Sequence, residues 1–284
     1  MLELSHVTKS YGAHRVLNDL SFAVRPGRLT GFVGGNGAGK TTTMRIILGV
    51  LAKDAGSVTI NGAALTSADR RRFGYMPEER GLYPKMKVGE HITYLARLHG
   101  FDKGEAETRA TALLEQLGLG ERLNDTVEKL SLGNQQRAQI AAALVHEPDV
   151  LILDEPFSGL DPVNQQVMED VIKDLSKAGS TIIFSTHVMS HAERICDRIL
   201  LIAKGTKIFD GTIDEAKKKI PNLDPATALE VLRRLTRNID NADVRTVMQN
   251  HLMKAGAQSR LNEIIGDIKR VLQDDRFDKI LDGD

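Results

Sequence analysis

Residues 29–42 read LTGFVGGNGAGKTT, an apolar run that ends in a glycine-rich stretch and passes directly into TTMRIILGVL, a helical pattern over residues 42–51. Gly34, Gly39, Lys40 and Thr41 stand at the defining positions of G-x-x-x-x-G-K-[ST], in the strand-to-helix setting that a phosphate loop requires. Its glycines let the backbone from Gly34 through Gly35, Asn36, Gly37 and Ala38 to Gly39 wrap phosphates with inward N–H groups, and the following helix dipole adds positive potential. Lys40 can reach the terminal phosphates, and Thr41, followed by Thr42, supplies a hydroxyl for Mg²⁺. The stretch predicts an α/β core that binds a polyphosphate.

A phosphate loop needs an acid on a neighbouring strand, and VLILDEP (150–156) supplies one. Its apolar run ends in Asp154, placed to hold Mg²⁺ through water, and Glu155 follows at once as a candidate general base that polarises the attacking water.

Outward from these motifs, the first sixty residues read as β segments: LELSHVT, HRVLNDLSFAV, RLTGFVG and SVTING. From Val88 to about Gly118 the apolar residues recur at helical spacing, so a helical segment, about 85–146, interrupts the β pattern. DVLILDEP, STIIFSTH and DRILLIAKGTKIFDG then alternate with helical stretches, the pattern of a parallel sheet buried on both faces. Together these predict one composite domain over 1–213, a charged linker over 214–223 and an all-helical appendage over 224–284, where Leu229, Leu232 and Leu235 share a face.

The composition is that of an ordinary globular chain: 284 residues, 41% hydrophobic and 27% charged. Lys plus Arg and Asp plus Glu are both 38, so no overall charge favours nucleic acid or an anionic membrane surface. The single Cys196 excludes an intramolecular disulfide, and there is no Cys/His cluster at zinc-ligand spacing. The N-terminus lacks a signal-peptide pattern and no apolar run approaches bilayer length, so a role at a membrane calls for a separate membrane subunit.

The phosphate loop, LSLGN (130–134), LILDEP (151–156), SGLD (158–161) and STH (185–187), in this order, resemble the ATP-binding subunit of an ABC transporter over roughly residues 2–212. The resemblance implies a P-loop NTPase core of the ABC ATPase type, with an N-terminal antiparallel β subdomain and a helical subdomain. It implies ATP and Mg²⁺ as cofactors and two copies that sandwich two ATP molecules head to tail. It further implies that Tyr11 stacks on adenine, that the loop ending in Asp161 links the two active sites, and that His187 contacts the γ-phosphate and positions water.

Two motifs depart from the family pattern. The usual lid glutamine is replaced in FGYMPEERGLYPKM by Glu78, whose carboxylate suits Mg²⁺ but adds negative charge near the triphosphate. The usual L-S-G-G-Q signature is here L-S-L-G-N: Ser131, Gly133 and the helix start persist, Asn134 is one methylene shorter than glutamine, and Leu132 must point away from ATP. Both variants resemble a sodium- and drug-exporter branch, which implies export of ions, drugs or other small molecules through a multi-span permease. The implied location is cytoplasmic, peripheral on the inner face of the cell membrane. The alternative is a soluble ABC ATPase acting on ribosomes or DNA. The chain lacks a second ATP-binding domain and a long coiled-coil insertion, and its appendage has ten Lys/Arg against eleven Asp/Glu, so no nucleic-acid partner is expected. The appendage is expected to serve dimer contact or regulation.

Overall fold

The structure, a computed structural model, describes residues 1–79 and 81–219. Strands β1 (Leu2–Tyr11) and β2 (His14–Val24) form an antiparallel hairpin. Strand β3 (Leu29–Val33) runs through the glycine-rich loop into α1 (Lys40–Ile47). The chain then returns to β1 as β4 (Ala55–Ile60) and β5 (Ala63–Ala64), completing a four-stranded antiparallel sheet in the order β2-β1-β4-β5.

After the short α2 (Ser67–Arg70), β6 (Phe73–Met76) leads into three helices: α3 (Val88–Leu98), α4 (Lys103–Gln116) and α5 (Leu132–Leu144). They fall inside the expected helical segment. Small buried side chains, among them Ala96, Ala106, Ala110 and Ala138, line their packed faces. Asp102 starts α4 by accepting the Glu105 backbone N–H at 2.9 Å, which satisfies one of the free donors of the first turn.

The remainder of the unit is β7 (Val150–Leu153), α6 (Pro162–Lys177), β8 (Thr181–Thr186), α7 (Met189–Ile195), β9 (Arg198–Ala203) and β10 (Thr206–Gly211). The second sheet has the order β10-β9-β3-β8-β7-β6, and β3 pairs parallel with both β9 and β8. Every residue of β3, β7 and β8 is buried, as the continuous apolar runs of these strands require of a sheet covered on both faces.

One run departs from the parallel pattern. DRILLIAKGTKIFDG folds as the β9–β10 hairpin, with β10 antiparallel at the sheet edge. Lys204 and Gly205 take φ of 48° and 71° in its two-residue turn, and this backbone twist suits a tight hairpin. The Gly205 N–H donates to Ala38 O at 3.0 Å and its carbonyl accepts the Asn18 N–H at 2.9 Å, so the turn braces the phosphate loop against β2.

The two sheets share one core. Leu4, Val7 and Leu20 from the antiparallel sheet meet Phe32, Ile152, Ile183 and Ile202 from the parallel one, and α1 adds Met44 and Ile47. Burial on this scale, at about 25 cal/mol per Å² of apolar surface, anchors the loop that precedes α1 on both sides. Five adjacent strands, β9, β3, β8, β7 and β6, run parallel, so the segments after them lie in a row at one sheet edge. This edge outside the carboxyl ends of the strands is where open α/β sheets bind ligands.

The first unit ends at Thr212. The charged segment beyond it, expected as a linker from 214, opens within a helix, α8 (Ile213–Lys219). Residues 220–223 of that linker and the expected appendage, 224–284, lie outside the described residues.

Candidate functional site

The phosphate loop leaves β3 with Gly34 N–H donating to Thr186 O at 3.2 Å, which ties it to the end of β8. Gly35, Asn36 and Gly37 are exposed, Gly34, Ala38 and Gly39 are buried, and Thr41 and Thr42 are half-buried at the start of α1. The buried Lys40 ammonium donates to Gly34 O at 2.7 Å and lies 3.2 Å from Glu155 Oε1. A cation held between its own loop and an acid at the end of β7 joins the two halves of the expected site.

The acids themselves are set by β7 and β8. The Ser185 hydroxyl donates to Asp154 Oδ1 at 2.5 Å and accepts the Glu155 backbone N–H at 2.9 Å. Asp154 is 0% exposed, and its Oδ2 is buried without a hydrogen-bond partner. Glu155 turns the chain with φ of 48°, and its Oε2 lies 3.1 Å from His187 Nδ1. Burial pushes the Glu155 carboxyl up, but the His187 hydrogen bond and the Lys40 charge outweigh it and hold the group below the usual carboxylate range. The hydrogen bond to Glu155 raises His187. Four residues on, burial pushes His191 down to about 4, so the two histidines have opposite roles: His187 can carry charge and His191 stays neutral.

Glu78 follows β6 and is exposed. Its carboxyl is pushed up by partial burial and then by the negative charges of Asp154 and Glu155. The charges of Asp154 and Glu155 thus reach Glu78, and an unpaired buried oxygen of Asp154 and the half-buried Thr41 add hard oxygen donors. Among the described residues they do not close into a protein-only metal cage. This donor set fits Mg²⁺, which keeps waters and shares its remaining positions with phosphate.

A second group of expected residues gathers elsewhere. Ser131 caps α5, its hydroxyl accepting the Asn134 N–H at 3.4 Å. Asp161 caps α6 by accepting the Val163 and Asn164 N–H groups, both at 3.0 Å, and also accepts the Asn164 side-chain amide at 2.6 Å. The two caps meet at Gly133, where an added Cβ would lie 2.3 Å from Asn164 Oδ1. A Cβ here would have to push the Asn164 amide aside, so the start of α5 packs against the first turn of α6, whose cap is Asp161. Leu132 is 47% exposed and faces solvent, away from that contact. Tyr11, at the end of β1, is 51% exposed, with Lys9 Nζ 5.7 Å from its ring centroid.

The structure therefore brings together Lys40, Asp154, Glu155 and His187, with Glu78 close enough to feel the acids, and sets Ser131, Gly133, Asn134 and Asp161 in a separate cluster. Sequence reasoning missed Ser185, Asn164, Gln136 and Gln139. Two of them carried a signal, a polar residue inside a largely apolar run: Ser185 in TIIFST and Gln139 in AQIAAAL. Gln136 Nε2 donates to Pro156 O at 3.1 Å, and Gln139 Nε2 donates to both Pro77 O and Glu79 O at 3.1 Å.

Comparison with known proteins places these features in context. The profile of the ABC transporter family matches residues 17–158. An uncharacterized ABC transporter ATP-binding protein, YhaQ of Bacillus subtilis (strain 168), is 43% identical over 77% of this chain and 73% of its own. The linearmycin resistance ATP-binding protein LnrL of the same strain is 37% identical over 75% and 69%. Nod factor export ATP-binding protein I of Paraburkholderia xenovorans (strain LB400) is 39% identical over 74% and 70%. Among solved structures, an ATP-binding subunit of an ABC transporter superposes with a TM-score of 0.70 at 34% identity, over 83% of this chain and 99% of its own. The dimeric post-hydrolysis state of the cassette MJ0796, bound to ADP and Pi, superposes with a TM-score of 0.69 at 25% identity, over 75% and 99%.

Proposed function

This chain belongs to the ABC transporter ATP-binding family, and from that premise we propose that it hydrolyses ATP to ADP and phosphate to drive export through a separate multi-span permease. The observation that carries the proposal is the Lys40–Glu155–His187 chain of contacts beneath the phosphate loop. The linearmycin-resistance and Nod-factor-export relatives support the direction of transport. No described helix is long and apolar enough to cross a membrane, in keeping with a peripheral subunit at the inner face of the membrane.

In this mechanism Tyr11 stacks on adenine, while the backbone of Gly34 to Gly39 with Thr42 cradles the phosphates and the Lys40 ammonium turns from Glu155 to pair with them. Glu155, held ionised, accepts a hydrogen bond and then a proton from the attacking water, and His187 orients that water toward the γ-phosphoryl group. Thr41, Asp154 and Glu78 would hold Mg²⁺, which when bound neutralises developing charge on the phosphates. Two copies close head to tail, with Ser131, Gly133 and Asn134 of one copy facing the ATP of the other and Asp161 linking the sites. The dimeric MJ0796 cassette supports this assembly.

Two experiments test these assignments. Glu78→Gln is expected to raise the Mg²⁺ concentration for half-maximal ATPase activity several-fold, while Glu79→Gln leaves it near the parental value; the reverse pattern moves the metal assignment to Glu79. Should a multi-span membrane protein be encoded beside this chain, reconstitution with it is expected to stimulate ATP hydrolysis and confer transport. Cofractionation with ribosomes, together with no permease response, would instead favour a soluble ATPase.

A further inference from the structure

Gln139 lies in the middle of α5 and is 3% exposed, with Ala138, Ile140, Ala141 and Ala143 of the same helix also buried. Its amide oxygen is buried without a hydrogen-bond partner. An apolar side chain of similar length at this place would avoid an unpaired acceptor, whose burial costs about 1–3 kcal/mol. Packing alone therefore does not account for a glutamine here. Its amide nitrogen does: Nε2 donates to Pro77 O and to Glu79 O, both at 3.1 Å.

These two carbonyls flank Glu78. One residue earlier, Met76 O accepts the Asp154 backbone N–H at 2.8 Å. The arc 76–79 is thus held at three carbonyls, one by the backbone of Asp154 and two by Gln139, and the Glu78 side chain projects from a fixed peptide. One turn back on α5, Gln136 fastens Pro156 O, next to Glu155, in the same way. The helix whose first residues are Ser131, Leu132 and Gly133 therefore grips both acid-bearing loops of its own chain.

We propose that Gln139 is a positioning residue that fixes the Pro77–Glu79 backbone, aims the Glu78 carboxylate at the metal side of the ATP site, and makes that aim depend on the placement of α5. The proposal rests on the assignment of Glu78 to the metal. It reaches beyond that assignment by naming a side chain that touches neither nucleotide nor metal and yet sets metal affinity. It also supplies a direct connection between the signature helix and the acids of the same chain.

The test uses the full chain with a non-hydrolysable ATP analogue and Mn²⁺ as probe, with free Mn²⁺ read by electron paramagnetic resonance. Gln139→Met is expected to weaken Mn²⁺ binding about tenfold, the low end of what loss of an outer-shell partner costs. Affinity for the analogue in the absence of metal should stay unchanged. Gln139→Asn keeps the amide but withdraws it by one methylene, and should shift Mn²⁺ affinity in the same direction in a chain that retains its polar helix face. Gln135→Met is the matched control, because Gln135 Nε2 also bridges two carbonyls, Val127 O at 3.3 Å and Leu130 O at 3.0 Å, which belong to the turn before α5 and not to the 76–79 arc. Its Mn²⁺ affinity should stay within twofold of the parent. Combining Gln139→Met with Glu78→Ala should weaken Mn²⁺ no further than Glu78→Ala alone. An equal loss in Gln135→Met would reduce the effect to general loosening of the helix and overturn the proposal. Glu78→Ala without effect on Mn²⁺ would remove the metal assignment and the proposal with it. A loss in Glu78→Ala with none in either Gln139 variant would overturn the positioning role alone.

Discussion

Glu155→Gln is expected to bind ATP as tightly as the parent and to hydrolyse it 10²–10⁴ times more slowly, the range that removal of a general base costs. At 1.36 kcal/mol per factor of ten, this is about 3–5 kcal/mol of transition-state stabilisation. The substitution preserves volume, and the amide can still meet His187 at the 3.1 Å separation now spanned by Oε2. What disappears is the charge that Lys40, 3.2 Å away, balances. Freed from that partner, Lys40 can commit wholly to the phosphates, so affinity does not fall. ATP-bound closed dimers should therefore accumulate and be visible by sedimentation. Single-turnover hydrolysis within tenfold of the parent would show that another group takes the proton.

Ser131→Arg is expected to leave ATP binding to the phosphate loop intact and to abolish ATP-driven closure, weakening the dimer by at least 100-fold, about 2.7 kcal/mol. Loss of the N-cap costs about 1 kcal/mol of helix stability, too little to unfold a helix whose Ala138, Ile140 and Ala141 are buried. The new side chain would stand on an exposed helix start, on the surface that Gly133 and Asn164 keep flat. It would replace a small hydroxyl with a long cation where the proposed head-to-tail assembly calls for a close fit to the other copy's ATP. Placing both substitutions in one chain separates binding from closure: sedimentation as a monomer with bound ATP is the expected result, and an ATP-dependent dimer would sink the signature assignment.

The motifs proposed to touch phosphate were legible because their chemistry demands fixed residue types at short spacing. Lys40, Glu155 and His187 lie in contact, with Asp154 next to Glu155 in the chain, since each follows a buried strand whose apolar run is itself readable. The antiparallel β10 was not legible. Its strand is as β-prone as a parallel one, and only the Lys204–Gly205 turn dictates the reversal. Gln139 stands out in the sequence as a polar residue, but its role does not: its partners are backbone carbonyls some sixty residues earlier, which no side-chain pattern records. The contact of Gly133 with Asn164 was equally invisible, because it depends on two helix caps that meet only in the fold.

Gly205 carries one more consequence, for genetics. A side chain there would place its Cβ 2.0 Å from Val16 O, at a backbone φ of 71° that side chains rarely adopt. Since its N–H holds Ala38 O, the disturbance passes straight to the nucleotide loop. A screen for clones that no longer retain ATP will return substitutions at 205 alongside those at Lys40, and a residue that contacts no nucleotide will score as though it did. Because the atoms such a side chain would strike, Val16 O, Val16 C and Leu17 Cα, all belong to the backbone, side-chain changes in β2 would not suppress alleles of this class.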